Sequence, residues 1–425
     1  MTKLHGIASA IRSCCAVQVG RLVAEAYRRS GRPGGTFKAG SIALRISPDV
    51  LNVLSSPLDV SLISGTNGKT TTTRLITESL STHGHVVSNS LGANLPAGIV
   101  NAALSAGSDT RAGVMEVDER YLPRIMDETD PKTVVLLNLS RDQLDRTPEC
   151  RNIASLWRQA LSETNATVIA NADDPLVVWA SSTAKNVVWA SVGQRWTDDS
   201  WYCPACGDQL ERDDEESWLC VSCGLAKPLA RWVLRDETML DTLLGTSHRL
   251  QLRLPGLANR ANAVMAIAAA DVHKVPAPVA LARTALVGGV SGRFETFPYR
   301  GSRVRLLLAK NPASWLETLE LIQDSPEVVL AFNARNLDGL DSSWLWDVDF
   351  SSLRNRSVFV MGERRFDLAA RLHYDGVAFD LVDSLDEICS FGEHPHLDVV
   401  ANYTAFLSAI TTVRGKTSKG AGHAE

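Results

Sequence analysis

The residues with the clearest chemistry lie in the run Val60-Ser-Leu-Ile-Ser-Gly-Thr-Asn-Gly-Lys-Thr-Thr-Thr-Thr73. Its glycines allow a tight turn whose backbone N–H groups can surround phosphate oxygens, and its lysine adds a positive charge. The threonine after that lysine can offer a hydroxyl to Mg²⁺. The run therefore predicts an ATP site formed by Gly65, Thr66, Asn67, Gly68, Lys69, Thr70 and Thr71.

Such a loop needs a strand before it and a helix after it. The apolar segment 60–63 predicts the strand, and Leu75, Ile76 and Leu80 recur at helical spacing until Gly84. Further apolar runs predict strands at 113–119, 132–139 and 166–170, separated by helical patterns. This alternation predicts an α/β fold with a doubly wound parallel sheet.

Ligands of parallel sheets bind at the carboxyl ends of the strands. Glu116, Asp142 and Asn171 all follow or end predicted strands. A carboxylate and a hydroxyl are suitable ligands for Mg²⁺, so Glu116 and Thr70 are the predicted magnesium pair. The alternative for Glu116 is an exposed carboxylate without a ligand.

Two CxxC pairs, Cys203-Pro-Ala-Cys206 and Cys220-Val-Ser-Cys223, are separated by 13 residues, and each is followed by glycine. Four thiolates at this spacing predict a zinc ribbon, with iron as the minor alternative. Because all four ligands are thiolates, the metal is expected to be structural. The intervening residues are strongly acidic, which argues against contact with nucleic acid.

The composition is that of a globular protein, with 425 residues, 45% hydrophobic residues and a net charge of −5. Nucleic-acid binding is not favoured by this charge, and two or three domains are expected. No apolar run is long enough to cross a bilayer, and the N-terminal helical pattern is interrupted by charges, unlike a signal peptide. A cytoplasmic protein is therefore predicted. That helix either packs on the protein or presents basic residues to a membrane surface.

Several motifs together resemble the Mur ligases. They are the short loop GTNGKT at 65–70, Glu116, the run Gly256-Leu-Ala-Asn-Arg-Ala-Asn262, the junction Gly292-Arg-Phe-Glu295 and the turn Ala309-Lys-Asn-Pro312. By this resemblance, Asn262 and Arg293 contact the nucleotide. Asn259 is either a helix cap or a ligand, and Lys310 either faces the γ-phosphate or is a solvated turn residue.

The chain departs from ordinary Mur ligases in ways that resemble one subfamily, MurT. It carries the four-cysteine insertion, has no UDP-binding domain of the usual size before the loop, and contains Asp338-Gly-Leu-Asp-Ser-Ser-Trp-Leu-Trp-Asp347. MurT is the ligase-like subunit of lipid II isoglutaminyl synthase and pairs with the glutaminase GatD. The resemblance implies ATP-dependent amidation of D-glutamate in the lipid II stem peptide, at the inner face of the membrane.

The resemblance also gives Asp341 a catalytic role, because it would orient a histidine of the glutaminase partner as a triad carboxylate does. The alternative is that Asp338 and Asp341 only cap a turn. Trp344 and Trp346 are candidate contacts with that partner. The competing functions are a stand-alone amino-acid ligase of the Mur or folylpolyglutamate type and a zinc-ribbon ATPase that binds nucleic acid.

The expected domain organisation follows these motifs. An N-terminal helix and loop occupies 1–48, and a Mur ligase-type central domain occupies 49–295, with the zinc ribbon inserted at 196–232. A C-terminal α/β domain of MurT type is expected at 296–413. The composition of 414–425 predicts a disordered tail.

Overall fold

The computed structural model describes residues 2–30, 35–89, 92–142, 149–213, 217–289, 294–336, 338–391 and 394–420. The chain divides into two compact units. The first contains residues 1–139 and 150–288, and the second contains 140–149 and 289–425. The expected separate segment at 1–48 is therefore part of the first unit. The short segment 140–149 was expected in the central domain but belongs to the second unit.

The first unit alternates helices with strands, as the apolar periodicity predicts. Its elements are α1 (Thr2–Ser30), α2 (Gly35–Ile46), α3 (Val50–Ser55), β1 (Asp59–Ser64), α4 (Lys69–Leu80), β2 (Val86–Ser88), α5 (Pro96–Leu104), β3 (Ala112–Glu116), α6 (Leu122–Thr129), β4 (Thr133–Leu136), α7 (Cys150–Glu163), β5 (Thr167–Asn171), α8 (Pro175–Ser181), β6 (Asn186–Ser191), β7 (Glu211–Arg212), β8 (Trp218–Leu219), β9 (Trp232–Arg235), β10 (Thr238–Asp241), β11 (Thr246–Arg249), α9 (Leu257–Val272) and α10 (Ala277–Thr284).

The main sheet of this unit has nine strands in the order β11-β10-β9-β6-β5-β4-β1-β3-β2. In this order, all neighbouring strands between β9 and β2 are parallel, and β10 and β11 add an antiparallel edge. The four central strands β1, β3, β4 and β5 are almost entirely buried, which explains their continuous apolar sequences. Residues 252–254 follow β11 without joining the sheet.

The N-terminal helices pack on this sheet unit. Gly20 of α1 lies so close to Leu104 that an added Cβ would stand 2.7 Å from its Cδ1, and Gly40 of α2 meets the carbonyl of Ala97 in the same way. Small residues at these positions therefore let the helices approach closely. Within the described residues, no helix is long and apolar enough to span a membrane.

The cysteine-rich insertion forms a two-stranded ribbon, in which β7 pairs antiparallel with β8. Trp218 is buried, and its indole N–H donates to the carbonyl of Ala172 at 3.3 Å. Lys227, just after the second cysteine pair, forms an ion pair of 2.6 Å with the buried Asp173. The ribbon is thus attached to the end of β5.

The second unit is also α/β. Its elements are β12 (Phe294–Tyr299), β13 (Ser302–Leu308), α11 (Pro312–Leu321), β14 (Glu327–Ala331), β15 (Ser357–Met361), α12 (Arg365–Tyr374), β16 (Asp380–Leu381), α13 (Leu385–Phe391), β17 (His396–Ala401) and α14 (Tyr403–Gly420). The strand order is β12-β13-β17-β14-β15-β16, parallel except for the hairpin of β12 and β13. Residues 414–420, for which the composition predicts a disordered tail, continue α14 to Gly420. Residues 421–425 lie outside the described part.

Candidate active site

The glycine-rich loop connects β1 to α4 and depends on both of its glycines. Gly65 and Gly68 have positive φ values of 137° and 87°. An added Cβ at Gly68 would lie 2.3 Å from Oδ1 of Asn262, and one at Gly65 would lie 2.9 Å from the Cβ of Leu137. Backbone conformation and close packing therefore both require glycine here.

Asn138, which the sequence analysis did not single out, holds this loop in place. Its Oδ1 accepts from the Asn67 N–H at 2.9 Å, and its Nδ2 donates to the Asn67 carbonyl at 3.1 Å. Its own carbonyl accepts from the Thr66 N–H at 2.9 Å. The available signal was a polar residue in the apolar run that becomes β4 and its extension.

Lys69 is the first residue of α4 and is almost completely buried. Its ammonium donates to the Gly65 carbonyl at 2.5 Å and forms an ion pair with Glu119 at 2.9 Å. The side chains of Lys69 and Glu119 are only 4% and 14% exposed. An unpaired charge at this depth would be costly, so Glu119 is the counter-ion that permits the burial of Lys69. The sequence showed Glu119 only as one of several carboxylates after β3.

Glu116 and Thr70 meet beside this pair. The Thr70 hydroxyl donates to Glu116 Oε2 at 2.7 Å, and Asn94 Nδ2 lies 3.3 Å from Oε1. Asn89 fixes the Glu116 backbone through its N–H and carbonyl. The structure thus brings together, at the end of β3, the carboxylate and hydroxyl that the sequence suggested as a magnesium pair.

The structure places the other residues expected near the nucleotide in different surroundings. Asn262 lies on α9 and is buried, and its Oδ1 stands directly beside Gly68 of the loop. Asn259 is engaged elsewhere, because its Nδ2 donates to the Pro255 carbonyl at 2.6 Å and so bonds its own first turn. Thr71 is buried in the first turn of α4. Arg293 lies outside the described residues.

The end of β5 connects the ribbon to the strand that supports the loop. Asn171 Nδ2 donates to the Leu137 carbonyl at 2.9 Å, and Asp174 Oδ2 accepts from the Leu139 N–H at 2.8 Å. Asp174 also caps α8, and burial raises its pKa to about 6. Asn171 is therefore a structural residue here: it positions Leu137, and Asp174 positions Leu139, on either side of Asn138.

The four cysteines of the insertion form a compact cluster. The sulfurs of Cys203, Cys206, Cys220 and Cys223 all lie within 4.8 Å of one another. Tetrahedral zinc with Zn–S bonds near 2.3 Å needs sulfurs about 3.8 Å apart. Two of the pairs, Cys203 with Cys223 and Cys206 with Cys220, are 3.5 and 3.4 Å apart. The four sulfurs therefore fit a single tetrahedral metal ion. They would leave this ion no open position for water or substrate.

Replacement of Cys203 or Cys220 by serine is expected to lower thermal stability and solubility, because the ribbon has only a small core of its own. One Zn²⁺ per chain is expected in the purified protein. Metal analysis by mass spectrometry and a thermal melt of each variant test this. A metal-free protein with an unchanged melting temperature would contradict the assignment.

In the second unit, Lys310 is paired with Asp142. The Lys310 ammonium lies 2.5 Å from Asp142 Oδ2, and both side chains are largely buried. Asn311 accepts from the Ser314 N–H at 3.0 Å and caps α11. Lys310 is therefore not a solvated turn residue, and its position near the γ-phosphate stays a prediction. Asp142, expected at the ligand edge of the main sheet, lies in the second unit.

The motif at 338–347 follows β14 and contains two aspartates with different environments. Asp338 is buried and accepts from the Thr404 N–H at 2.8 Å and the Arg335 N–H at 3.0 Å, so it joins two segments of the unit. Asp341 is partly exposed, and the N–H of Ser343 donates to it at 2.8 Å. That hydrogen bond lowers the pKa of Asp341. Asp338 is structural, whereas Asp341 presents an ionised carboxylate.

The two tryptophans of the motif also differ. Trp344 is buried and makes an edge-to-face contact with Phe332 at 5.5 Å. The expectation that it contacts a partner is therefore wrong, because it forms part of the core. Trp346 is 53% exposed, beside Tyr374 at 5.2 Å and beneath the Arg371 guanidinium at 5.6 Å. Only Trp346 is available to a partner.

Two family models match the chain. The model of the Mur ligase middle domain covers residues 63–270, and that of the MurT ligase C-terminal region covers 308–406. The subunit MurT of the glutamine-hydrolyzing lipid II isoglutaminyl synthase of Staphylococcus aureus (strain N315) is 28% identical over 404 residues, spanning 88% of this chain and 91% of the relative. The corresponding subunit of Streptococcus pneumoniae (strain ATCC BAA-255 / R6) is 28% identical over 416 residues, spanning 89% and 92%.

Solved structures share the fold at lower identity. A pseudomurein peptide ligase type C from Methanothermus fervidus superposes with a TM-score of 0.69 at 18% identity, over 87% of this chain and 81% of the other. FolC from E. coli superposes with a TM-score of 0.57 at 15% identity, over 87% and 92%. At these identities the solved structures show a shared fold alone. The two family models and the MurT relatives show that the chain belongs to the Mur ligase family and, within it, to the MurT group.

Proposed function

We propose that the chain is the ligase subunit of an enzyme that amidates the α-carboxylate of D-glutamate in the lipid II stem peptide, giving D-isoglutamine. ATP activates the carboxylate as an acyl phosphate, and ammonia from a GatD-like glutaminase subunit displaces the phosphate. The observation that supports this most is that one chain carries both the phosphate loop with its Thr70–Glu116 pair and the MurT-type C-terminal region. The named MurT relatives belong to a glutamine-hydrolysing synthase.

The first step needs activation because a carboxylate anion is a poor electrophile. Phosphoryl transfer is catalysed mainly by positioning and charge neutralisation. In this proposal the loop at 65–68 and Lys69 hold the β- and γ-phosphates, while Thr70 and Glu116 hold Mg²⁺. Asn262, Thr71 and Arg293 complete the nucleotide contacts. When ATP binds, the Lys69 ammonium exchanges its ion pair with Glu119 for an ion pair with a phosphate.

The second step needs ammonia as NH₃, since NH₄⁺ has no lone pair with which to attack. A glutaminase partner releases NH₃ beside the acyl phosphate and so avoids protonation by water. Asp341 is the residue proposed to orient the partner's catalytic histidine. The hydrogen bond from the Ser343 N–H lowers the pKa of Asp341 further below neutrality, and the carboxylate is ionised as this role requires. The exposed Trp346 packs against the exposed Tyr374, and the two rings form an aromatic contact surface suited to a protein partner.

The metal in the ribbon has a structural role in this proposal, because four thiolates leave no ligand position for substrate. The acidic ribbon and the acidic chain do not support the nucleic-acid-binding alternative. The alternative that remains is a stand-alone ligase that adds an amino acid, since the fold is shared with a pseudomurein peptide ligase.

Co-expression with a GatD-like glutaminase and assay on lipid II tests the proposal. With ATP, Mg²⁺ and glutamine, we expect a product whose mass corresponds to the carboxamide, together with release of phosphate. Free ammonium at high concentration should replace glutamine. A product extended by an amino acid, formed without the glutaminase, would favour the stand-alone ligase, and the absence of any amide would contradict both functions.

A further inference from the structure

The first 48 residues have a charge opposite to that of the rest of the chain. They contain a single acidic residue, Glu25, and eight basic ones: Lys3, Arg12, Arg21, Arg28, Arg29, Arg32, Lys38 and Arg45. The remaining residues contain 35 basic and 47 acidic side chains. Such an asymmetry concentrates positive potential on α1 and α2, which would attract an anionic surface even though the whole chain is acidic.

One side of α1 is used for packing and the other is not. Ser13, Ala16, Val17 and Gly20 are buried, and Ser13 bonds to Ser47 beside α2 at 2.9 Å. The opposite side exposes Ile11 by 60% and Leu22 by 70%. These two are separated by three helical turns and therefore point in nearly the same direction. The packing of α1 on the protein leaves apolar side chains facing outward.

Exposed basic side chains accompany these apolar ones along α1. Arg12 is exposed, and the side chains of Arg28 and Arg29 are 79% and 80% exposed. Both Arg28 and Arg29 pair with Glu25, so one carboxylate compensates two guanidinium groups. On α2, Phe37 is 41% exposed beside the exposed Lys38. The outer surface of α1 and α2 thus combines exposed apolar side chains with an excess of positive charge.

We propose that this surface, defined by Ile11, Arg12, Leu22, Arg28, Arg29 and Phe37, docks on a bilayer that carries anionic phospholipid headgroups. The arginines bind the lipid phosphates, and the apolar side chains enter the boundary between headgroups and acyl chains, as in helices that lie in the membrane plane. This inference deepens the proposed function, because a lipid-linked acceptor is held at such a surface.

The pattern of side chains favours lipid over nucleic acid. Both ligands offer phosphates to the arginines, but a nucleic-acid backbone has no apolar layer for Ile11, Leu22 and Phe37. A bilayer supplies the phosphates and the apolar layer together. Docking by this surface would also bring the chain to a lipid-linked acceptor by diffusion in two dimensions.

Co-sedimentation of the full chain, in complex with its glutaminase partner, with vesicles tests the proposal. We expect binding to vesicles of mixed phosphatidylglycerol and phosphatidylcholine, little binding to phosphatidylcholine alone, and release at high salt. Each basic residue near an anionic bilayer is worth about fivefold in partitioning, so replacing Arg12, Arg28 and Arg29 by glutamine should weaken binding by about 100-fold. Ile11→Ser with Leu22→Ser should also weaken binding, with the charge unchanged.

The matched control replaces three exposed basic residues elsewhere, Lys185, Arg235 and Arg303, by glutamine. This variant has the same net charge as the triple arginine variant and should bind vesicles like the original protein. Equal binding by both triple variants would overturn the docking surface. So would an arginine variant that keeps vesicle binding but loses self-association or binding to an RNA fragment, since the occupant would then be a second copy or a nucleic acid.

A water-soluble acceptor separates this proposal from the proposed function. The triple arginine variant should amidate a stem peptide that lacks the lipid at the original rate, yet act slowly on acceptor embedded in vesicles. Full activity of this variant on embedded lipid II, despite its lost vesicle binding, would reject the role of the docking surface in reaching the acceptor and leave the proposed function intact. Failure of every variant and of the original protein to amidate either acceptor would reject the proposed function, while the vesicle measurement would still test the surface.

Discussion

Replacing Lys69 with alanine is expected to lower ATP turnover by about 10³-fold, because charge stabilisation of a transferring phosphoryl group is commonly worth that much. The fold should persist, since Lys69 lies at the start of a helix that is held by the packing of its other residues. Phosphate release under saturating ATP and a thermal melt provide the measurement. Normal turnover in this variant would remove the glycine-rich loop from the mechanism.

The ion pair with Glu119 makes a sharper version of this experiment possible. Lys69→Ala alone leaves a buried carboxylate without its counter-ion, which could disturb the loop for structural reasons. The double variant Lys69→Ala/Glu119→Gln removes both charges. If the loss of turnover comes from the missing contact with phosphate, the double variant should be as inactive as the single one. Recovery of turnover in the double variant would show that the unpaired Glu119 caused the loss.

Asp341→Asn is expected to reduce glutamine hydrolysis in the complex by about 10⁴-fold, the effect of losing the orienting carboxylate of a catalytic triad. Amidation with glutamine should fall accordingly, whereas amidation with a high concentration of free ammonium should continue, because the ligase residues are unchanged. Both rates, together with co-purification of the two subunits, provide the measurement. Unchanged glutaminase activity would reject the shared triad.

The chain supplies a matched control for this prediction. Asp349 accepts from the Ser351 N–H at 2.8 Å in the same local turn geometry that Asp341 forms with Ser343, and its pKa is lowered for the same reason. If Asp341 were only a turn cap, Asp341→Asn and Asp349→Asn should have similar small effects with both nitrogen sources. A selective loss of glutamine-dependent activity in Asp341→Asn alone would exclude the turn-cap explanation.

Parts of the candidate site were predictable from local sequence because they depend on neighbours in the chain. The glycines of the loop, its flanking strand and helix, and the two cysteine pairs are arranged by residues within a few positions of each other. Glu116 could also be placed, since a carboxylate at the end of a parallel strand lies at the same edge as the other strand ends. Its contact with Thr70 follows from that geometry.

Other parts depend on contacts between distant segments. The sequence marked Trp344 and Trp346 alike, and only packing against Phe332 showed that the first belongs to the core. Likewise, α14 continues through a segment whose composition suggested disorder. The composition of a segment shows that it has few apolar side chains to bury. It does not show that the preceding turns of the same helix pack on a hydrophobic core, from which the helix can continue.

By itself, the sequence determined the α/β class, the glycine-rich loop, the four-cysteine ribbon and the resemblance to the Mur ligases, because spacing and periodicity express local geometry. Only the tertiary structure decided that Glu119 neutralises Lys69, that Asn138 holds the loop, and that Asp142 pairs with Lys310. Each of these pairs joins residues separated by 50 or more positions. A buried charge or amide must find a partner wherever the folded chain brings one, and no local pattern specifies which segment will supply it.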